Sequence, residues 1–176
     1  MRIPKFEAFG VPICKDKVNL DKIKIHSEKT STTFMAELET NRFNEVNIPH
    51  ETKNYLTNIF YKNLDSIGLK KYKIEFGNMW ENFYKPGDFQ EKHIHPDSHF
   101  SYIIYSNVDK SNTVFIRPGA YLAECTHWSD WFSNELYIPC EKGDIIIFPS
   151  YLEHMVPKVK YSGSTIAGNI KIFKNE

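Results

Sequence analysis

The stretch NFYKPGDFQEKHIHPDSHFSYIIY, Asn82 to Tyr105, decides how this chain is read. Its two ends are rich in aromatic and β-branched residues, the material of strands, and Lys85-Pro86-Gly87-Asp88 is turn chemistry. His93 and His95 stand between. On an extended backbone residues i and i+2 share a face, so the two imidazoles point the same way. About sixty residues later, Gly143-Asp144 opens an apolar run, Ile145 to Phe148, that leads through Pro149 to His154. Imidazoles from two distant segments can fill one face of a transition metal's coordination sphere and leave the other positions open.

Working outward, Tyr72–Phe76, Met79–Tyr84, Phe100–Val108, Thr113–Arg117, Leu136–Ile138, Ile145–Phe148 and Thr165–Phe173 read as strands. Turns are expected at Asp109–Asn112 and Pro118-Gly119, and residues 120–135 read as an irregular insertion carrying Tyr121, His127, Trp128 and Trp131. The clearest helix spans about 49–67. Its apolar positions 56, 59, 60, 64 and 67 form one stripe, Pro49 suits the first turn and Gly68 the stop. Val18–Ile25 alternates weakly, as an early strand or a short helix, and Ser27–Asn44 reads as a loop around a short structured piece. A helix followed by seven or eight short strands predicts a mainly β (α+β) fold, a sandwich or barrel-like jelly roll. With no repeat, low-complexity tract or linker, residues 1–176 are expected to form a single domain: an N-terminal flanking region, 1–71, and a β core, 72–173.

The chain of 176 residues, 41% hydrophobic and 25% charged, is long enough to bury a core without disulfides or a structural metal. Zero formal net charge disfavours nucleic acid or an anionic membrane as an electrostatic partner. Cys14, Cys125 and Cys140 are odd in number and lack C-x-x-C spacing, which argues against a disulfide framework and for a reducing compartment. No apolar run approaches the roughly 18 residues of a membrane helix, so the expected location is the cytoplasm, that of the host if the chain is phage-encoded. The oligomeric state is not written in the sequence.

Residues 82–105, the Gly143-Asp144 turn, Phe148-Pro149, His154 and Ala167-Gly168-Asn169-Ile170 together resemble the 2-oxoglutarate/Fe(II)-dependent oxygenase superfamily. More narrowly they are similar to a small branch common in marine phages and bacteria. The resemblance covers roughly residues 72–173 and implies a double-stranded β-helix (jelly roll) with an N-terminal flanking helix. It implies Fe(II), 2-oxoglutarate and dioxygen, and hydroxylation of a small molecule or a protein side chain such as prolyl, with release of succinate and CO2. The implied ligands are His93, His95 and His154. A second register, His95, Asp97 and His154, gives the superfamily's usual two-His-one-carboxylate set and leaves His93 beside it. Both registers stay open.

The resemblance further assigns Tyr105 to the co-substrate and Asn169 to substrate or metal-bound water, while Asn82 and Tyr84, on the strand before the metal loop, are candidates for the pocket mouth. Trp128, in the aromatic insertion, is a candidate substrate platform. One position departs from the pattern. The superfamily places an Arg about ten residues after the last His to clasp the far carboxylate as a bidentate pair. Here the segment reads Tyr161-Ser162-Gly163-Ser164-Thr165. The hydroxyls of Ser164 and Thr165 can hydrogen-bond but cannot neutralise. A replacement cation would come from Arg117, or from Lys158, Lys160 or Lys171. The His-x-His pair and the missing Arg also fit a three-His cupin-like dioxygenase or isomerase that does not use 2-oxoglutarate. A non-catalytic jelly-roll metal-binding module is the third reading. His26, His50 and His99 have no partner spacing and are expected at the surface.

Overall fold

The computed structural model describes residues 10–25, 28–33, 35–43, 48–108 and 113–175. Among the described residues eleven strands are present: β1 (Cys14–Lys17), β2 (Thr30–Thr32), β3 (Ala36–Thr40), β4 (Tyr72–Tyr84), β5 (Phe89–His93), β6 (Phe100–Asn107), β7 (Val114–Ile116), β8 (Glu135–Tyr137), β9 (Asp144–Pro149), β10 (His154–Val156) and β11 (Gly163–Lys174). Two helices accompany them, α1 (His50–Ser66) and α2 (Ala120–Cys125). The strands pair antiparallel in the order β1-β9-β6-β11-β4-β3-β5-β10-β7-β8, with β2 on β3. Strand β3 joins two layers: Glu39 and Thr40 pair with β4, while Ala36 and Glu37 pair with β5. The result is the curled antiparallel jelly roll expected from the sequence.

Alternation on β6 and β9 builds the two larger apolar clusters. Tyr102, Ile104, Ile145 and Ile147 face α1, where Leu56, Phe60 and Leu64 are fully buried. The intervening Ile103, Tyr105, Ile146 and Phe148 face the opposite way and pack with Phe115 of β7, inside the roll. A strand covered on both faces reads as the continuous apolar run seen at Ile145–Phe148. The helix thus seals the outer face of the larger layer and leaves the space between the layers for a site.

Several elements differ from expectation. The two strands expected at 72–76 and 79–84 are one 13-residue strand, β4, because β11 pairs along it from Tyr72 to Tyr84. The register shift between Gly168 and Ile170 absorbs the irregularity near Gly77, whose Cβ would lie 3.3 Å from the Asn169 carbonyl oxygen. Strands β5 and β10 lie in segments too short or too polar to announce themselves. The insertion holds α2 and a 3-10 turn at Trp128–Asp130, the Val18–Ile25 segment holds a 3-10 turn at Leu20–Lys22, and Ser27–Asn44 holds β2 and β3. His26 and the turn expected at Asp109–Asn112 lie outside the described residues. Cys14, Cys125 and Cys140 are free thiols, and no helix is long and apolar enough to cross a membrane among the described residues.

Gly168 offers a test of the packing. A Cβ there would overlap the hydroxyl of the buried Tyr102, whose ring packs on Phe60 at 5.0 Å. Gly168→Ala should lower stability by about 1–3 kcal/mol through overpacking, read as a reduced urea midpoint. An unchanged midpoint would mean the ring has room to move.

Candidate metal centre

His93 ends β5 and His154 opens β10, and the two are direct antiparallel partners. Their rings are 4.3 Å apart between centroids. The backbone N–H of His95 donates to the Ser150 carbonyl at 3.0 Å, which folds the segment after β5 back over the same place. The His95 ring then lies 5.1 Å from His154 and 5.2 Å from His93. Among the described residues these three imidazoles form one group whose ligand atoms all lie within 4.8 Å of one another. Asp97 is not in it; it sits on an exposed turn with a left-handed backbone, φ 61°.

The hydrogen bonds set the tautomers. His93 Nδ1 donates to the Glu91 carbonyl at 2.8 Å and His154 Nδ1 to the Leu152 carbonyl at 2.9 Å. Each therefore presents an unprotonated Nε2. The Nε2 atoms of His95 and His154 face each other at 3.3 Å. Protons are held off as well. Burial first, then the neighbouring His154 and His93, push His95 down to about 3; burial, then His93, push His154 down to about 3. Burial also lowers His93, against the Glu91 hydrogen bond, and Arg42 lowers it further. Three neutral imidazoles with lone pairs turned inward are the donor set that Fe(II) accepts, with carbonyl oxygens orienting two of them from behind. The residues present thus fit a divalent metal ion.

The group opens on a cavity. Asn82, Tyr84, Tyr105 and Thr165 line it, as do Trp80, Gln90, Thr113, Tyr161 and Ser162. Tyr105 Oη donates to Thr113 Oγ1 at 3.0 Å and Tyr84 Oη to Gln90 Oε1 at 2.8 Å. Thr165 faces Tyr105 across the β11–β6 pair. No Lys, Arg, Asp or Glu lies among the described lining residues.

The other candidates are placed elsewhere. Ser164 is turned away from Thr165 and bonds Ser106 at 2.8 Å. Asn169 Oδ1 accepts from Ser101 Oγ at 2.8 Å, and Ser101 also bonds Ser150, which ties β11 and β6 to the residue whose carbonyl accepts from the His95 N–H. Arg117 lines a separate cleft with Lys92, Glu124 and Glu153. Lys158 and Lys160 are exposed, and neither they nor Lys171 line the histidine cavity. Trp128 stacks on Phe132 at 4.5 Å, outside the cavity lining. His50 and His99 are exposed. Sequence reasoning missed Trp80 and Gln90, and it missed Arg42, whose guanidinium lies 4.9 Å over the Trp80 ring.

Fold and site together define a jelly-roll protein with a group of three imidazoles that could hold a metal ion. The family model described as "Putative 2OG-Fe(II) oxygenase" matches residues 78–167, just over half of the chain. The chain belongs to this 2OG-Fe(II) oxygenase family, whose cofactors are Fe(II) and 2-oxoglutarate. Its fold is similar to that of a 2OG-Fe(II) oxygenase family oxidoreductase from Burkholderia pseudomallei, at 12% identity and a TM-score of 0.58, over 86% of this chain and 74% of that one. It is also similar to a prolyl-4-hydroxylase from Pseudomonas putida, at 12% identity and a TM-score of 0.50, over 85% and 78% of the two chains. A third likeness is the non-haem α-ketoglutarate-dependent epimerase SnoN, at 8% identity and a TM-score of 0.55, over 86% and 70%. No curated protein matches the chain in sequence.

Proposed function

We propose that the chain is an Fe(II)- and 2-oxoglutarate-dependent dioxygenase in which His93, His95 and His154 hold the metal. The observation that carries this reading is the convergence of three neutral imidazoles on the wall of one cavity. Bound there, Fe(II) with 2-oxoglutarate would supply the oxidative decarboxylation to succinate and CO2 that drives hydroxylation of a C–H bond. The protein's own part is placement. The carbonyls of Glu91 and Leu152 fix the ring orientations of His93 and His154. Phe148 and Phe115, each packed against His154, keep water from its outer side. Tyr84, Tyr105, Thr113 and Thr165 form a hydroxyl-rich wall that takes the far carboxylate of the oxo-acid by hydrogen bonds in place of the superfamily's Arg. The substrate is a small molecule or a protein side chain such as prolyl.

One observation favours a second reading. With no described cation on the cavity wall and Asp97 outside the histidine group, the site also suits a three-His dioxygenase that dispenses with 2-oxoglutarate. Release of labelled CO2 from 1-labelled 2-oxoglutarate separates the two, with His95→Ala protein as the blank. The first reading expects release above the blank. It also expects Tyr105→Phe to weaken 2-oxoglutarate binding about tenfold, since a hydrogen bond to a charged group is worth roughly 1.5–3 kcal/mol. Oxygen consumption that is indifferent to 2-oxoglutarate would hand the site to the second reading.

A further inference from the structure

Beside the three histidines lies a set of donors that the metal reading leaves unused. Thr40 pairs with Asn82, and the antiparallel register carries Arg42 to the level of Trp80. The Arg42 guanidinium lies over the Trp80 ring at 4.9 Å, and the Trp80 and His95 rings are 5.6 Å apart. Each member of this row has an unmet donor. No ion pair among the described residues uses Arg42. Trp80 is 3% exposed, and its Nε1–H has no acceptor. His95 Nδ1 is buried without a partner, although His93 and His154 both bond a carbonyl through that atom. A metal-ligating histidine ordinarily donates its second N–H to a carboxylate, a carbonyl or water. A buried donor left unpaired costs about 1–3 kcal/mol, so the two buried ones on Trp80 and His95, with the exposed guanidinium of Arg42 at the end of the row, mark a place for an acceptor.

Resting on the reading of the site as an oxygenase centre, we propose that Arg42, Trp80 and His95 bind the carboxylate of the substrate, which makes the substrate an acid. Arg42 supplies the charge, held in place by its stack on Trp80, where Lys would lose both the plane and the fork. The cavity's hydroxyl wall stays free for the oxo-acid. An uncharged substrate would leave the three donors unmet.

The test needs no turnover. In Trp128→Phe/Trp131→Phe protein the remaining tryptophan is Trp80, so its fluorescence reports on the row directly. Metal-free protein is titrated with N-acetylglycine, a carboxylate that lacks the chelating oxo group, and with the neutral N-acetylglycinamide. The expected result is a saturable change with the acid and none with the amide. Arg42→Gln should weaken the response tenfold or more, and Arg42→Lys should restore part of it. Circular dichroism checks that these surface variants stay folded. The titration is then repeated anaerobically with Fe(II) and saturating 2-oxoglutarate, where the response should persist. No saturable response, or an equal response in Arg42→Gln, would overturn the proposal. Abolition of the response by 2-oxoglutarate would overturn it too, because the row would then belong to the co-substrate. Failure of the oxygenase reading would show instead as absent iron or 2-oxoglutarate binding with the N-acetylglycine response intact.

Discussion

His154→Ala should weaken Fe(II) binding by at least about 100-fold, measured by anaerobic titration against a competing chelator. Loss of a residue that merely orients a ligand already costs 10–100-fold, so loss of the ligand itself sets a higher floor. His154 is 3% exposed, and its Nε2 faces that of His95 at 3.3 Å, so no other described side chain stands ready to replace it. His93→Ala and His95→Ala should behave alike. Asp97→Ala should leave iron affinity unchanged, because its carboxylate sits on an exposed turn outside the group. A large loss for Asp97→Ala with none for His93→Ala would move the ligand set to His95, Asp97 and His154.

Acid should destabilise the metal-free protein well above the usual carboxylate range. His95 and His154 are held near 3 in the folded chain, while 6.5 is their ordinary value. Between those values the unfolded chain binds protons that the folded chain refuses, so stability falls as pH is lowered through that window. From pH 7.5 to 5.5 each of the two histidines should cost about 1.4 kcal/mol, or near 3 kcal/mol for the pair. His93, lowered by the same burial, adds in the same direction. Urea denaturation at the two pH values measures the difference. Iron affinity should fall in parallel, because metal and proton compete for the same lone pairs. A flat stability profile over this range would mean that the imidazoles are not desolvated together.

Much of the fold was legible because burial on both sides leaves a plain mark in sequence. The α1 stripe at Leu56, Phe60 and Leu64 and the runs in β6 and β9 all met one another as alternation requires. The histidines were legible through spacing. Their register was not, because His95 lies past the end of β5, where strand parity no longer says which way a side chain points. Arg117 illustrates the same limit. Thr113 and Phe115 do face inward, but β7 ends at Ile116, and Arg117, just past that end and before the turn at Pro118-Gly119, lines another cleft. Arg42 gave no signal at all. Only the β3–β4 register sets it against Trp80, and strand pairing between segments forty residues apart is not written in either segment.

The most direct test of the metal centre's role is an anaerobic titration of 2-oxoglutarate into the Fe(II)-loaded protein, followed by visible absorption. The expected result is a saturable band from chelation of the oxo-acid to iron, absent from His95→Ala protein and shifted to higher 2-oxoglutarate concentration in Tyr105→Phe. Iron bound at the three histidines with no such band would contradict the account, and the site would then belong to a three-His enzyme of another chemistry.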